Sequence, residues 1–278
     1  MISKTLTEIK REMTQAATMQ DASTWNSLLQ QIVLLKGLAI SDGNEPLAKD
    51  LWCMQQVAKI HLEFLLAFAQ MKAEEFYQAW CTLERVEIEL SFLERHFDIS
   101  QETFRLVFVK QQTEHFQSLF PYHIFFSPEM IIREKRCTIC NSVLTLRSSC
   151  GHVTGEIYGG EMRGVRVTGG EFIGMALVKN PVQKYSVAFV NGKDEDNYDY
   201  FMVNNVVTRL KSAFDSWEPK WEKRLYPHSA FKGVGRNCLC PCKSGLKYKK
   251  CCLQKEGVLI DHCHVIFNEV SAIDVLRE

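Results

Sequence analysis

Eleven cysteines occur in this sequence, and their spacing constrains the fold more than any other feature. Cys53 and Cys81 stand alone. Cys137, Cys140 and Cys150 group in the middle, while Cys238, Cys240, Cys242, Cys251 and Cys252 crowd together near the end, with Cys263 following. In a reducing compartment such thiols stay unpaired, and their clustering there points to metal. The compartment expected is cytoplasmic. No apolar run approaches the ~20 residues that span a bilayer, and Lys4, Lys10 and Arg11 lie in a beginning without the apolar block of a secretory signal.

The middle cluster reads Cys137-Thr-Ile-Cys140, then Cys150-Gly-His152 after nine residues. A two-residue spacer lets both thiolates of a tight turn face one cation. The following residues are enough for a hairpin that returns a second pair of ligands, and Gly151 allows Cys150 and His152 to converge. Three thiolates and one imidazole make a closed tetrahedral zinc site with a single net negative charge. Lys135, Arg136 and Arg147 are near enough in sequence to offset it.

The terminal cluster holds Cys240-Pro-Cys242 and, eight residues on, Cys251-Cys252. Pro241 pre-bends the backbone between the first two sulfurs, and Ser244-Gly245 permits the reversal that joins the pairs. Zinc with four thiolates keeps two net negative charges. Residues 232–255 contain seven Lys+Arg and no Asp or Glu, which meets that electrostatic need.

The run 235–252 resembles the SEC-C metal-binding motif, found at the carboxyl terminus of the preprotein translocase ATPase SecA and in YecA-like proteins. Arg236, Asn237, Cys240, Pro241, Cys242, Ser244, Gly245, Lys247, Tyr248, Lys249, Lys250, Cys251 and Cys252 carry the likeness. The resemblance implies that Cys240, Cys242, Cys251 and Cys252 are ligands, usually of zinc and in some cases of iron. Cys238, Leu239 and Lys243 depart from the motif's Asp, Pro and Gly. Cys238 is therefore a fifth thiol in reach, read as a neutral substitution, and Lys243 falls where a special backbone conformation is expected.

The rest of the chain is expected to be α+β. Residues 1–133 carry 12 Lys+Arg against 17 Asp+Glu and read as a helical bundle. Val57, Ile60, His61, Phe64, Phe68 and Met71 fall at helical spacing, as do Phe76, Trp80, Leu83, Val86, Leu90 and Leu93. The two runs meet at Lys72-Ala73-Glu74, either as an antiparallel pair or as one bent helix. Asp21 to Thr24 caps an earlier helix, and Ser100-x-x-Thr103 begins a later one. Cys53, Cys81 and His61 fit this core as packing residues. Residues 134–231 read as a zinc-bound β-rich domain followed by a helix near 197–214. Gly159-Gly160, Gly169-Gly170 and Asn191-Gly192 are expected turns. Residues 232–278 hold the motif and a closing strand over Asp261–Val270, in which His262-Cys263-His264 is structural.

Function narrows accordingly. No P-loop, dinucleotide fingerprint or nucleophile elbow is present, and two closed metal sites leave no open coordination position. The expectation is a non-enzymatic zinc adaptor that docks proteins through Lys247, Lys249 and Lys250. In SecA, the similar tail contacts the chaperone SecB and the ribosome. The alternative is a nucleic-acid-binding zinc protein, with Tyr248 available for stacking among the lysines. A third class, a hydrolase, rests on the resemblance of Glu171–Tyr185 to a strand of phage prohead proteases, without an accompanying Ser/His pair.

Overall fold

A computed structural model describes residues 5–19, 21–189, 198–267 and 270–276. Asn191-Gly192 lies outside them. Among the described residues there are six α-helices and three small antiparallel sheets, so the fold is α+β. The chain divides into two compact units, one ending at Phe214 and the other beginning at Asp215.

In the first unit, α1 (Leu6–Met19), α2 (Ala22–Ser41), α3 (Glu45–Lys72), α4 (Phe76–Leu93) and α5 (Leu106–Leu119) form the helical layer. Asp21 caps α2 by accepting the N–H groups of Ser23 and Thr24. Asn44 caps α3 through the Leu47 N–H. Glu74, at φ 63°, reverses the chain after α3. The Thr82 hydroxyl then meets Gln70 and Arg85 meets Glu63, which makes α3 and α4 an antiparallel hairpin. Their apolar stripes bury Phe64, Met71, Ala79, Leu83, Val86 and Leu90 together. Cys53 is buried and Cys81 half-buried in this layer.

The helix expected from Ser100 starts later. The Ser100 N–H is taken by Asp98 Oδ1, residues Glu102–Phe104 make a 3-10 turn, and Arg105 adopts φ 53° before α5 begins at Leu106. The Arg105 guanidinium lies 4.6 Å from the Phe108 ring and 4.9 Å from that of Phe214. That cation–π contact holds the bend.

After α5 come β1 (Phe125–Cys137), the two-residue strands β2 (Ile157–Tyr158) and β3 (Glu161–Met162), and β4 (Val165–Val178). β1 and β4 pair as one long antiparallel ribbon, with register shifts between Glu129 and Met130 and around Glu134. Gly159 and Gly160 do form the β2–β3 turn, both at positive φ. Gly169-Gly170, in contrast, lies inside β4 opposite Glu134 and Ile132. A Cβ on Gly170 would come within 3.2 Å of the Met130 side chain. These glycines admit neighbouring groups at an irregular stretch of ribbon instead of turning the chain. The ribbon's base is fastened to α4: buried Glu84 accepts the backbone N–H groups of Lys184 and Tyr185, and the Trp80 indole donates to the Lys184 carbonyl. The following helix, α6 (Phe201–Arg209), packs on α3.

The second unit is built on a three-stranded sheet of β5 (Trp217–Tyr226), β6 (Val258–Phe267) and β7 (Val270–Leu276), with β6 central. The terminal cysteine cluster occupies the β5–β6 connection. His262 and Cys263 are buried on β6; His262 Nδ1 meets the Tyr226 hydroxyl and His264 Nε2 meets Glu222.

His61 is the most exacting core residue. Its ring stacks on Trp25 at 4.2 Å, and Nε2–H donates to the Phe104 carbonyl at 2.8 Å. Burial, opposed only in part by that hydrogen bond, lowers its pKa to about 4. Between that value and the ordinary 6.5 an unfolded chain takes a proton that the folded one refuses. Stability contributed by the neutral ring is therefore complete above pH 6.5 and lost as pH falls towards 4, by roughly 3 kcal/mol. Urea unfolding of wild type and His61→Phe across this range should give a difference that shrinks by that amount on acidification. Parallel stability profiles would contradict a neutral buried ring.

Candidate metal centres

Both cysteine clusters converge. The sulfurs of Cys137, Cys140 and Cys150 and a ring nitrogen of His152 lie within 4.8 Å of one another, and so do the sulfurs of Cys240, Cys242, Cys251 and Cys252. A tetrahedral ion at the usual Zn–S and Zn–N lengths needs edges of about 3.8 Å between sulfurs and about 3.6 Å from sulfur to nitrogen. Cys242 lies 3.3 Å from Cys240 and 3.4 Å from Cys251, Cys251 lies 3.7 Å from Cys252, and Cys137 Sγ lies 3.9 Å from His152 Nδ1. Each donor set could hold a metal ion.

In the first centre, Cys137 ends β1 and the chain turns at once: the Asn141 N–H returns to the Cys137 carbonyl at 3.0 Å, with Asn141 at φ 59°. Gly151, at φ 82°, lets Cys150 and His152 face inward. The His152 ring stands edge-on to Tyr158, and the Tyr158 hydroxyl accepts the Val153 N–H. Burial opposes ionisation of Cys137, but the N–H groups of Cys140 and Ile139 and the Arg163 guanidinium outweigh it and bring the thiol down to about 6. Buried Arg163 is thus the cation beside the sulfurs. Arg136 instead pairs with Glu134 and the Asn141 carbonyl. Arg163 lies beyond the last ligand, His152, and spacing alone gives no sign of it.

Three side chains of the helical layer, one of them in the turn after α4, grip this loop. The Lys36 ammonium, buried, donates to the Gly160 carbonyl at 2.9 Å and to Glu161 at 2.7 Å. His96 Nε2 donates to the Gly155 carbonyl at 2.6 Å, and the Gly159 N–H donates to Glu45.

The second centre is a small core of its own. Cys240, Tyr248, Cys252 and Val258 are buried together, with Phe231, Val234 and Ile260 against them. The Cys240 N–H donates to the Leu246 carbonyl and the Lys243 N–H to that of Cys240. Lys243 takes φ 57° and Gly245 φ 76°, so the departure at Lys243 does occupy a left-handed position that glycine favours. Burial opposes ionisation of Cys242 as well, yet the Ser244 hydroxyl and neighbouring thiols bring it down to about 6. Burial and the adjacent sulfurs push Cys252 up to about 12. Cys238 is exposed and outside the donor set; its carbonyl accepts the Tyr248 N–H.

Tyr248 is not a stacking platform, because the ring is buried. Its hydroxyl donates to His228 Nδ1 at 2.5 Å while His228 Nε2–H donates to the Lys255 carbonyl. Sequence reading misses His228, which lies outside the motif. Lys247 and Lys250 are exposed on the same turn, and Lys249 is half-buried.

Residues 236–254 match the SEC-C motif. The match contains all four converging cysteines and the three lysines, and it covers only this part of the second unit. No curated protein and no solved structure matches the chain. SEC-C is a metal-binding motif, so the likeness and the geometry agree at this site. No helix among the described residues is long and apolar enough to cross a membrane.

In both clusters a depressed thiol sits beside one held high: the His152 backbone N–H favours ionisation of Cys150, but burial and the Cys137 and Cys140 sulfurs together outweigh it and raise the thiol, as at Cys252. A bound cation removes that mutual repulsion and expels the remaining protons. Metal affinity at either centre should therefore rise steeply with pH, and competition against a chromophoric chelator from about pH 6 to about pH 8 reads it. A flat profile would mean that the thiols are not the ligands.

Proposed function

We propose that the chain is a non-enzymatic zinc protein with two structural ions, and that its SEC-C turn docks protein partners. Cys137, Cys140, Cys150 and His152 would hold one ion and Cys240, Cys242, Cys251 and Cys252 the other. Mixed thiolate and imidazole donors in tetrahedral array favour zinc; the all-thiolate SEC-C site also suits iron. Four protein ligands leave no position for a substrate, which supports a structural role over a catalytic one.

One observation carries the docking role: the SEC-C turn buries its aromatic residue against the thiolates and keeps Lys247 and Lys250 on the outside. Lysine is a strongly hydrated point charge suited to long-range attraction. By resemblance to the SecA tail, the partners to test are a SecB-type chaperone and the ribosome. With Tyr248 buried, nucleic-acid binding would rest on phosphate contacts alone.

Protein purified without chelator should contain close to two equivalents of metal by elemental analysis. A folded, metal-free preparation would sink the two-site reading. Changing Lys247, Lys249 and Lys250 together to Gln should leave that content unchanged while weakening co-sedimentation with ribosomes or capture by SecB. Capture by the unaltered chain should also weaken as salt rises, and its lead over the variant should narrow, since such attraction is screened over ~8 Å at physiological ionic strength. If the triple variant instead loses one ion, and keeps its partners when zinc is saturating, the lysines only neutralise the thiolates. A salt-sensitive shift of RNA or DNA abolished by the same variant would favour nucleic acid.

A further inference from the structure

One face of the β1–β4 ribbon is wholly apolar over four rungs, in a way that neither strand shows alone. Antiparallel partners share a face, so the register places four successive rungs on one side: Phe126 with Leu177, Pro128 with Met175, Met130 with Phe172, and Ile132 with Gly170. Every side chain of these rungs is apolar and exposed. Phe126, Met130, Ile132, Phe172, Met175 and Leu177 are between 40% and 62% accessible. The opposite face is mixed: Ser127, Glu129 and Glu171 share it with Ala176 and Ile131, and Ile173 is the extra residue at the first register shift.

These six side chains present about 600 Å² of apolar surface, the upper end of what a monomer normally exposes. The ribbon's edges are blunted: Pro128 has no N–H to offer along β1, and the three register shifts break the ladder that an added strand would need. The face has no such protection. It also carries no charged or hydrogen-bonding side chain through which to choose a charged partner, and an Arg133–Glu171 ion pair lies beside it.

We infer that the occupant of this face is a second copy of the chain, packed ribbon on ribbon about a twofold axis. A twofold interface uses the same patch on both subunits and requires only self-complementarity. The four rungs supply it. With the axis between the second and third rungs, the bulky Phe126/Leu177 end of one copy meets the Ile132/Gly170 end of the other, where glycine leaves room. The two middle rungs face each other. The paired ribbons become a two-layer sandwich about 10 Å thick. Together the copies bury about 1,200 Å², the lower bound for a specific, stable interface, with the apolar centre common in homodimers.

The test uses full-length protein with its metal retained. Sedimentation equilibrium should give twice the chain mass of 32.0 kDa at micromolar concentration. Changing Phe172 and Met175 together to Ser should weaken the dimer by at least about thirty-fold, with circular dichroism and metal content unaltered. Leu225→Ser, at an exposed position on β5, is the control and should leave the dimer intact. A photoreactive phenylalanine at position 172 should crosslink two chains through residues 126–132. A monomer at every concentration overturns the inference, as does a dimer indifferent to the double change. Crosslinking to residues 215–278 of the same chain would show that the chain covers its own ribbon, and a crosslink only to added lipid vesicles would assign the face to a membrane surface.

Discussion

Four soft donors must meet within the reach of one ion, and the backbone has to tolerate their mutual repulsion before any ion arrives. Both centres meet this demand with left-handed residues: Asn141 and Gly151 in one, Lys243 and Gly245 in the other. Such a residue turns the chain sharply enough to aim consecutive N–H groups at a sulfur. The depressed thiols, Cys137 and Cys242, receive help of this kind from Cys140 and Ser244. Everything else local to each centre follows from that convergence. The ribbon ends at Cys137 because its last residue is a donor, and the β5–β6 connection can be long because its sulfurs and Tyr248 make a core for it.

The surrounding charges are arranged differently at the two sites. At the first, one buried guanidinium, Arg163, stands beside the sulfurs. At the SEC-C site the cations are numerous and mostly on the surface. A buried Arg with fixed geometry can orient a site, whereas exposed lysines contribute a diffuse field that other molecules also feel. This difference is why we propose docking at the SEC-C centre alone, beside the structural role proposed for both ions.

Elements with strong local periodicity were readable from sequence. The helical runs of α3 and α4 follow from two apolar stripes meeting at Lys72-Ala73-Glu74, though the stripes alone left a hairpin and one bent helix open, and the candidate donors of both centres follow from ligand spacing. Features created by register or by distant contacts were not. The apolar face of the ribbon is divided between two strands separated by the metal loop, and bulges break the alternation within each, so no single window shows it. The start of α5 moved because Asp98 and Arg105 redirect the chain, which a capping pattern at Ser100 does not register. Lys36 and Gly160 lie 124 residues apart; a charged residue on a helix gives no hint that it will be buried against a loop carbonyl.

That buried ammonium has a thermodynamic consequence. Lys36, Glu45 and His96 come from α2, α3 and the segment after α4, and each hydrogen-bonds the loop that carries Cys150 and His152 or the short hairpin following it. If the loop loosens, Lys36 loses the Gly160 and Glu161 acceptors that make its burial tolerable. An ion bound only to the folded loop stabilises whatever folds with it by mass action. The helical layer contributes no residue to either donor set, yet through this grip the proposed ion would make its melting a readout of free metal concentration.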